Sequence, residues 1–85
     1  MVITSTPRRY GKFSFPARWA YEFRTDLKRV MGLCIVFRAE HLFYNDTIEY
    51  WAACEHFRDV PLGEVTPEYR WYFSSEGDVW CEEVR

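Results

Sequence analysis

The sequence predicts a small α+β domain, with one N-terminal amphipathic helix packed on a four-stranded antiparallel β-meander made of two hairpins. Three observations carry this. A single apolar stripe at three- and four-residue spacing lies between residues 16 and 31. Two runs rich in β-branched and aromatic residues, 33–44 and 47–57, flank Asn45-Asp46. A second pair of runs, 68–74 and 79–84, flanks Ser75-Glu76-Gly77.

The helix is expected from about Pro16 to Met31. Proline suits a helix start and Ser14 is an available cap. Trp19, Phe23, Leu27, Val30 and Met31 form the stripe, and Gly32 reads as the stop, with Lys28 and Arg29 at the negative end of the dipole. After Gly32 the pattern turns to strand. Asn45-Asp46 tolerates the positive φ of a tight turn, and a two-residue loop pairs Tyr44 with Thr47 and Phe43 with Ile48.

That register puts Leu33, Ile35, Phe37, Ala39, His41 and Phe43 on one face with Ile48, Tyr50, Ala52, Cys54 and His56. It puts Cys34, Val36, Arg38, Glu40 and Leu42 on the other with Glu49, Trp51, Glu55 and Phe57. In the second hairpin Phe73 pairs with Val79. Tyr69, Trp71, Phe73, Val79 and Cys81 then share one face, and Arg70 opposes Glu82 and Tyr72 opposes Trp80 on the other. Residues 1–15 read as an extended arm or an edge strand, with Val2-Ile3-Thr4 as the strand and Pro7 and Gly11 as interruptions. Residues 16–85 read as one domain.

Composition bounds the function. With 85 residues the chain builds one core. It is 48% hydrophobic and 28% charged, with seven Phe, four Trp and six Tyr, which excludes a disordered, collagenous or coiled-coil chain. Three cysteines are odd in number and too few for a disulfide scaffold, so Cys34, Cys54 and Cys81 are expected reduced in a cytoplasmic protein. Met1 to Arg9 lacks the apolar region of a secretory signal, and the longest apolar stretch, Val30 to Phe37, is too short to cross a membrane. Charge is uneven. Residues 1–32 hold seven basic and two acidic residues, a net of +5, and residues 33–85 hold four basic and eleven acidic, a net of −7. The basic helix either neutralises the acidic sheet or the two halves form separate fields.

The leading candidate site is the outer face of the sheet. With the helix on the apolar face, Trp51, Tyr72 and Trp80 are left outside, among Arg38, Arg70, Glu40, Glu49, Glu55 and Glu82. Trp, Tyr and Arg dominate interface hot spots, so this face reads as partner-binding. The expected partner is another protein with a basic surface. Cover by the N-terminal segment or by a homodimer is the competing explanation.

Arg8, Arg9, Tyr10 and Lys12 suggest a second site, an arm that binds nucleic acid, with Tyr10, Phe13 and Phe15 able to stack on bases. The acidic sheet and a pI near 5.6 argue against it. A small nuclease or toxin using Arg38, Glu40, His41 and His56 is a third reading. Adjacent strand residues point to opposite faces, which separates Glu40 from His41. Cys54 and His56 share a face, but two ligands do not make a zinc site. No cofactor motif is present, and neither a cofactor nor a membrane is expected.

In size and make-up the chain resembles the compact single-domain inhibitors encoded by phages and mobile elements, such as anti-CRISPR proteins, a likeness carried by no motif. It implies a non-enzymatic module that occupies the nucleic-acid channel or active site of a host effector. The carboxylates of the acidic half would meet a basic groove there.

Overall fold

The computed structural model describes residues 9–84. The chain folds as an α+β unit with two short helices and two antiparallel sheets. Strand β1 (Tyr10–Pro16) leads into α1 (Ala17–Tyr21) and α2 (Thr25–Leu33). Strands β2 (Ile35–Leu42) and β3 (Thr47–Ala53) follow, then β4 (Tyr69–Phe73) and β5 (Val79–Glu83).

The single four-stranded meander is not formed. β1 takes the place beside β3, giving a three-stranded sheet in the order β1-β3-β2, and β4-β5 forms a separate two-stranded sheet. The reason lies in residues 10–15. Their alternation, Tyr-Gly-Lys-Phe-Ser-Phe, buries Gly11, Phe13 and Phe15 on one side and leaves Tyr10, Lys12 and Ser14 on the other. β1 runs across the boundary expected at residue 15. The proposed strand Val2-Ile3-Thr4 lies outside the described residues.

The expected helix of 16–31 is broken. Pro16 ends β1, and the first helical N–H, from Ala17, is held by the Asp46 carbonyl at 2.9 Å. Ser14 lies in β1 and caps nothing. Phe23 adopts φ +52° between the helices, so the chain turns and the Phe23 ring, on the expected apolar stripe, is 73% exposed. Trp19 stays in place, stacked on Phe15 at 5.0 Å, with the Arg24 guanidinium 4.5 Å from its ring centre. Leu27 and Val30 are buried as expected. Gly32 does not stop the helix, which continues to Leu33.

The first hairpin is two residues out of the expected register. Leu42, not Tyr44, pairs with Thr47, so the loop is Phe43 to Asp46, with Asp46 at φ +52°. A two-residue slip preserves the faces, and Arg38 and Glu40 remain on the side of Trp51 and Glu49. A bulge between Val36 and Arg38 then reverses the faces at the start of β2. Cys34 and Val36 therefore turn to the core, while Ile35 and Phe37 are 76% and 61% exposed. The second hairpin has the expected register, from Phe73–Val79 to Arg70–Glu82, with Gly77 at φ +93° in its turn.

The core lies between the two sheets and under the helices. Phe13, 1% exposed, is its centre. Its ring meets Tyr50 at 5.6 Å, Phe15 at 5.7 Å, Trp71 at 5.8 Å and Phe57 at 6.4 Å. Phe57, expected on the outer face, instead closes this cluster from the segment after β3. The sheets are tied at one corner, where Lys12 N–H donates to the Pro67 carbonyl at 2.9 Å.

Candidate functional site

Because β4-β5 packs its inner face on the three-stranded sheet, the outer faces of the two sheets point away from each other. The expected partner-binding set is thereby split. Trp51, Arg38, Glu40 and Glu49 lie on the open face of the three-stranded sheet. Tyr72, Trp80, Arg70 and Glu82 lie on the outer face of the β4-β5 hairpin, across the core. Glu55 belongs to neither; it is exposed in the turn after β3.

The face around Trp51 is built by register. Cross-strand rows run Tyr10–Ala53–Ile35, Lys12–Trp51–Arg38, Ser14–Glu49–Glu40 and Pro16–Thr47–Leu42. The open face is therefore banded, with an apolar row, a Trp between two cations, a row with two carboxylates and a second apolar margin. The Arg38 guanidinium lies 4.5 Å from the Trp51 ring centre and 3.4 Å from the Glu40 carboxylate. Trp51 is half-buried beneath it. Glu40 and Glu49 are direct cross-strand partners, an arrangement that costs free energy through like-charge repulsion. A shallow groove of about 460 Å³ continues past the apolar row, lined by Arg9, Leu33, Ile35, Ala53, Cys54 and Glu55.

On the hairpin, the Tyr72 and Trp80 rings stack at 5.7 Å and 17°. Beside it Arg58 joins the segment after β3 to β5, donating to Glu83 at 2.6 Å and to Glu64 at 2.7 Å. These carboxylates push the Arg58 guanidinium pKa above its ordinary value. A cleft of about 330 Å³ between β1 and the hairpin is lined in part by Ser14, Trp19, Glu68, Arg70 and Trp71.

The residues of the other two readings are not brought together. Arg8 lies outside the described residues. Arg9 is committed locally, to the Asp59 carboxylate at 3.4 Å and the Glu55 carbonyl at 3.1 Å. Tyr10 and Lys12 lie on the open face, but Phe13 and Phe15 are core residues and unavailable for stacking on bases. His41 bonds Asp46 at 3.0 Å at the hairpin turn, while His56 is exposed beyond the opposite end of β3. Arg38 and Glu40 are on the face that His41 does not share.

The bulge has a second effect. Cys34, expected on the outer face, joins Cys54 and Cys81 at the core side, where all three are free thiols. Burial, then the Cys54 thiol beside it, pushes the Cys34 pKa up, and burial raises Cys81 to about 11. Such thiols stay protonated and unreactive at neutral pH. Among the described residues no group of three or more Cys, His, Asp or Glu is placed to hold a metal ion. Among them, too, no helix is long and apolar enough to cross a membrane.

Which residues matter here was half legible. Trp51 with Arg38 follows from alternation on one hairpin. Lys12 is not expected as its neighbour, because residues 1–15 read as an extended arm or an edge strand with Val2-Ile3-Thr4 as the strand and Gly11 as an interruption, although the alternation of residues 10–15 signals a strand. No protein-family model matches this chain, and no curated protein or solved structure is significantly similar to it.

Proposed function

We propose that this protein is a small binding module whose contact surface for another protein is the open face of the three-stranded sheet. The observation that carries the reading is Trp51, set at the centre of an uncovered face between Lys12 and Arg38, with exposed Ile35 and Phe37 at its margin. An aromatic flanked by long cationic side chains on a rigid strand matches the make-up of an interface anchor. The paired carboxylates Glu40 and Glu49 suit a partner presenting basic groups, which would relieve their mutual repulsion. An inhibitor that occludes a basic groove of a nucleic-acid-handling effector is the specific form this reading takes. The three free thiols favour a reducing compartment, in keeping with a cytoplasmic site of action.

The test is capture from host lysate by the immobilised chain, compared with Trp51→Ala and Trp80→Ala, each checked for fold by circular dichroism. Loss of the captured protein with Trp51→Ala but not with Trp80→Ala is expected. Capture that survives Trp51→Ala and fails with Trp80→Ala would move the interface to the hairpin and overturn the assignment.

A further inference from the structure

The three-stranded sheet ends on β2, an edge strand of eight residues that no other described strand covers. It is long and exposed along most of its length, including Ala39, and Ile35, Phe37, Phe43 and Tyr44 along it and its turn are large apolar side chains left in water. Such an edge is a template for a further strand. Its sequence, Ile-Val-Phe-Arg-Ala-Glu-His-Leu, decides which.

In an antiparallel pair of identical strands, the two-fold axis sets one residue against itself. Opposed residues of an antiparallel pair show their side chains on the same face, and faces alternate along each strand, so the centre must be a residue facing its own copy. Centring on Arg38 sets two guanidinium groups against each other. Centring on Glu40 does the same with two carboxylates, each already opposite Glu49 on its own β3. Centring on Ala39 sets two small exposed side chains together and pairs Arg38 with the copy's Glu40, twice by symmetry. The same register brings Phe37 opposite His41, and regular pairing ends there, at the bulge between Val36 and Arg38.

We infer that β2 pairs antiparallel with β2 of a second copy of this chain, centred on Ala39, to make a continuous six-stranded sheet. Each Glu40 then lies between the Glu49 of its own β3 and an arginine of the copy, which offsets the repulsion within the monomer. The arrangement leaves the Trp51 faces open and places two of them side by side on one surface. It rests on the edge rather than on that face, so it stands or falls separately from the partner reading.

Sedimentation of the full chain tests it with charge reversals. The wild type is expected to sediment as a dimer. Arg38→Glu and Glu40→Arg each turn two attractive cross-strand pairs into two repulsive ones and should weaken dimerisation roughly 10- to 100-fold. The double variant Arg38→Glu/Glu40→Arg restores complementarity and should restore the dimer. Ala39→Lys, at an exposed position, sets two cations against each other on the axis and should give a folded monomer by circular dichroism. A wild type that stays monomeric to roughly millimolar concentration would overturn the inference. So would a dimer indifferent to all four variants, or a double variant that fails to recover.

Discussion

Gly11→Ala directs a methyl group into the Tyr69 ring. A Cβ built on Gly11 meets Tyr69 Cδ2 at 2.5 Å and Cε2 at 2.6 Å, with the Pro67 carbonyl at 3.2 Å. Carbon atoms at rest sit about 3.5–4.0 Å apart, so the ring must recede by about 1 Å. It has nowhere to go. The ring stacks on Phe57 at 4.1 Å and 14°, and its hydroxyl accepts the Arg58 N–H at 2.9 Å. Overpacking of this kind costs about 1–3 kcal/mol, and a disturbed hydrogen bond about 1 kcal/mol more. The lower backbone entropy of alanine in the unfolded chain returns about 0.4–1 kcal/mol. The net loss is about 1–3 kcal/mol, which for a domain of this size lowers Tm by roughly 5–20 °C. Urea unfolding followed by tryptophan fluorescence measures it. In a Tyr69→Leu background the alanine should cost nothing, so a double-mutant cycle isolates the clash. A Gly11→Ala protein as stable as the wild type would refute the packing of the hairpin on β1.

Three further outcomes follow from the same packing. Phe13→Ala removes the ring on which four others converge and should cost about 3–5 kcal/mol, most of the stability of a domain this small, read as loss of the cooperative urea transition. Phe23→Gly relieves a left-handed backbone at an exposed position and should stabilise by about 0.5–1 kcal/mol, whereas a lower urea midpoint would show that Phe23 packs in solution. Stability should also fall at high pH. Cys34 and Cys81 hold their protons more tightly folded than unfolded, and burial acts on Tyr50 and Tyr69 in the same sense. Above pH 9.0 the unfolded chain releases protons that the fold retains up to about 11, so the urea midpoint should drop across that window. A midpoint that is flat from about pH 8 to about pH 10.5 would contradict the buried setting of these thiols.

Local pattern was legible wherever neighbours in sequence are neighbours in space. The β4-β5 register followed from Gly77 and from alternation, because a three-residue turn leaves one way to put Tyr69, Trp71 and Phe73 on a common side. The faces of Arg38, Glu40, Glu49 and Trp51 survived a two-residue error in the turn, since strand alternation has period two. The bulge at Phe37 was not legible. It exchanges the faces of Cys34 to Val36 with no local mark, and turns Cys34 and Val36 toward the core. The break at Phe23 was hidden for a related reason. Stripe spacing shows that residues can share a helical face, not that the chain stays straight while Trp19 stacks on Phe15.

By itself the sequence determined an α+β chain with a single aromatic core, its hairpins and the side of the strand on which Trp51 sits. Those depend on periodicity and turn chemistry, which are short-range. Only the tertiary structure decided that β1 rather than β4 lies beside β3, and hence that Trp51 and Trp80 face opposite ways. Strand partnership between distant segments is settled by which assembly buries Phe13, Phe57 and Trp71 together, a competition among whole arrangements that no local stretch of residues encodes.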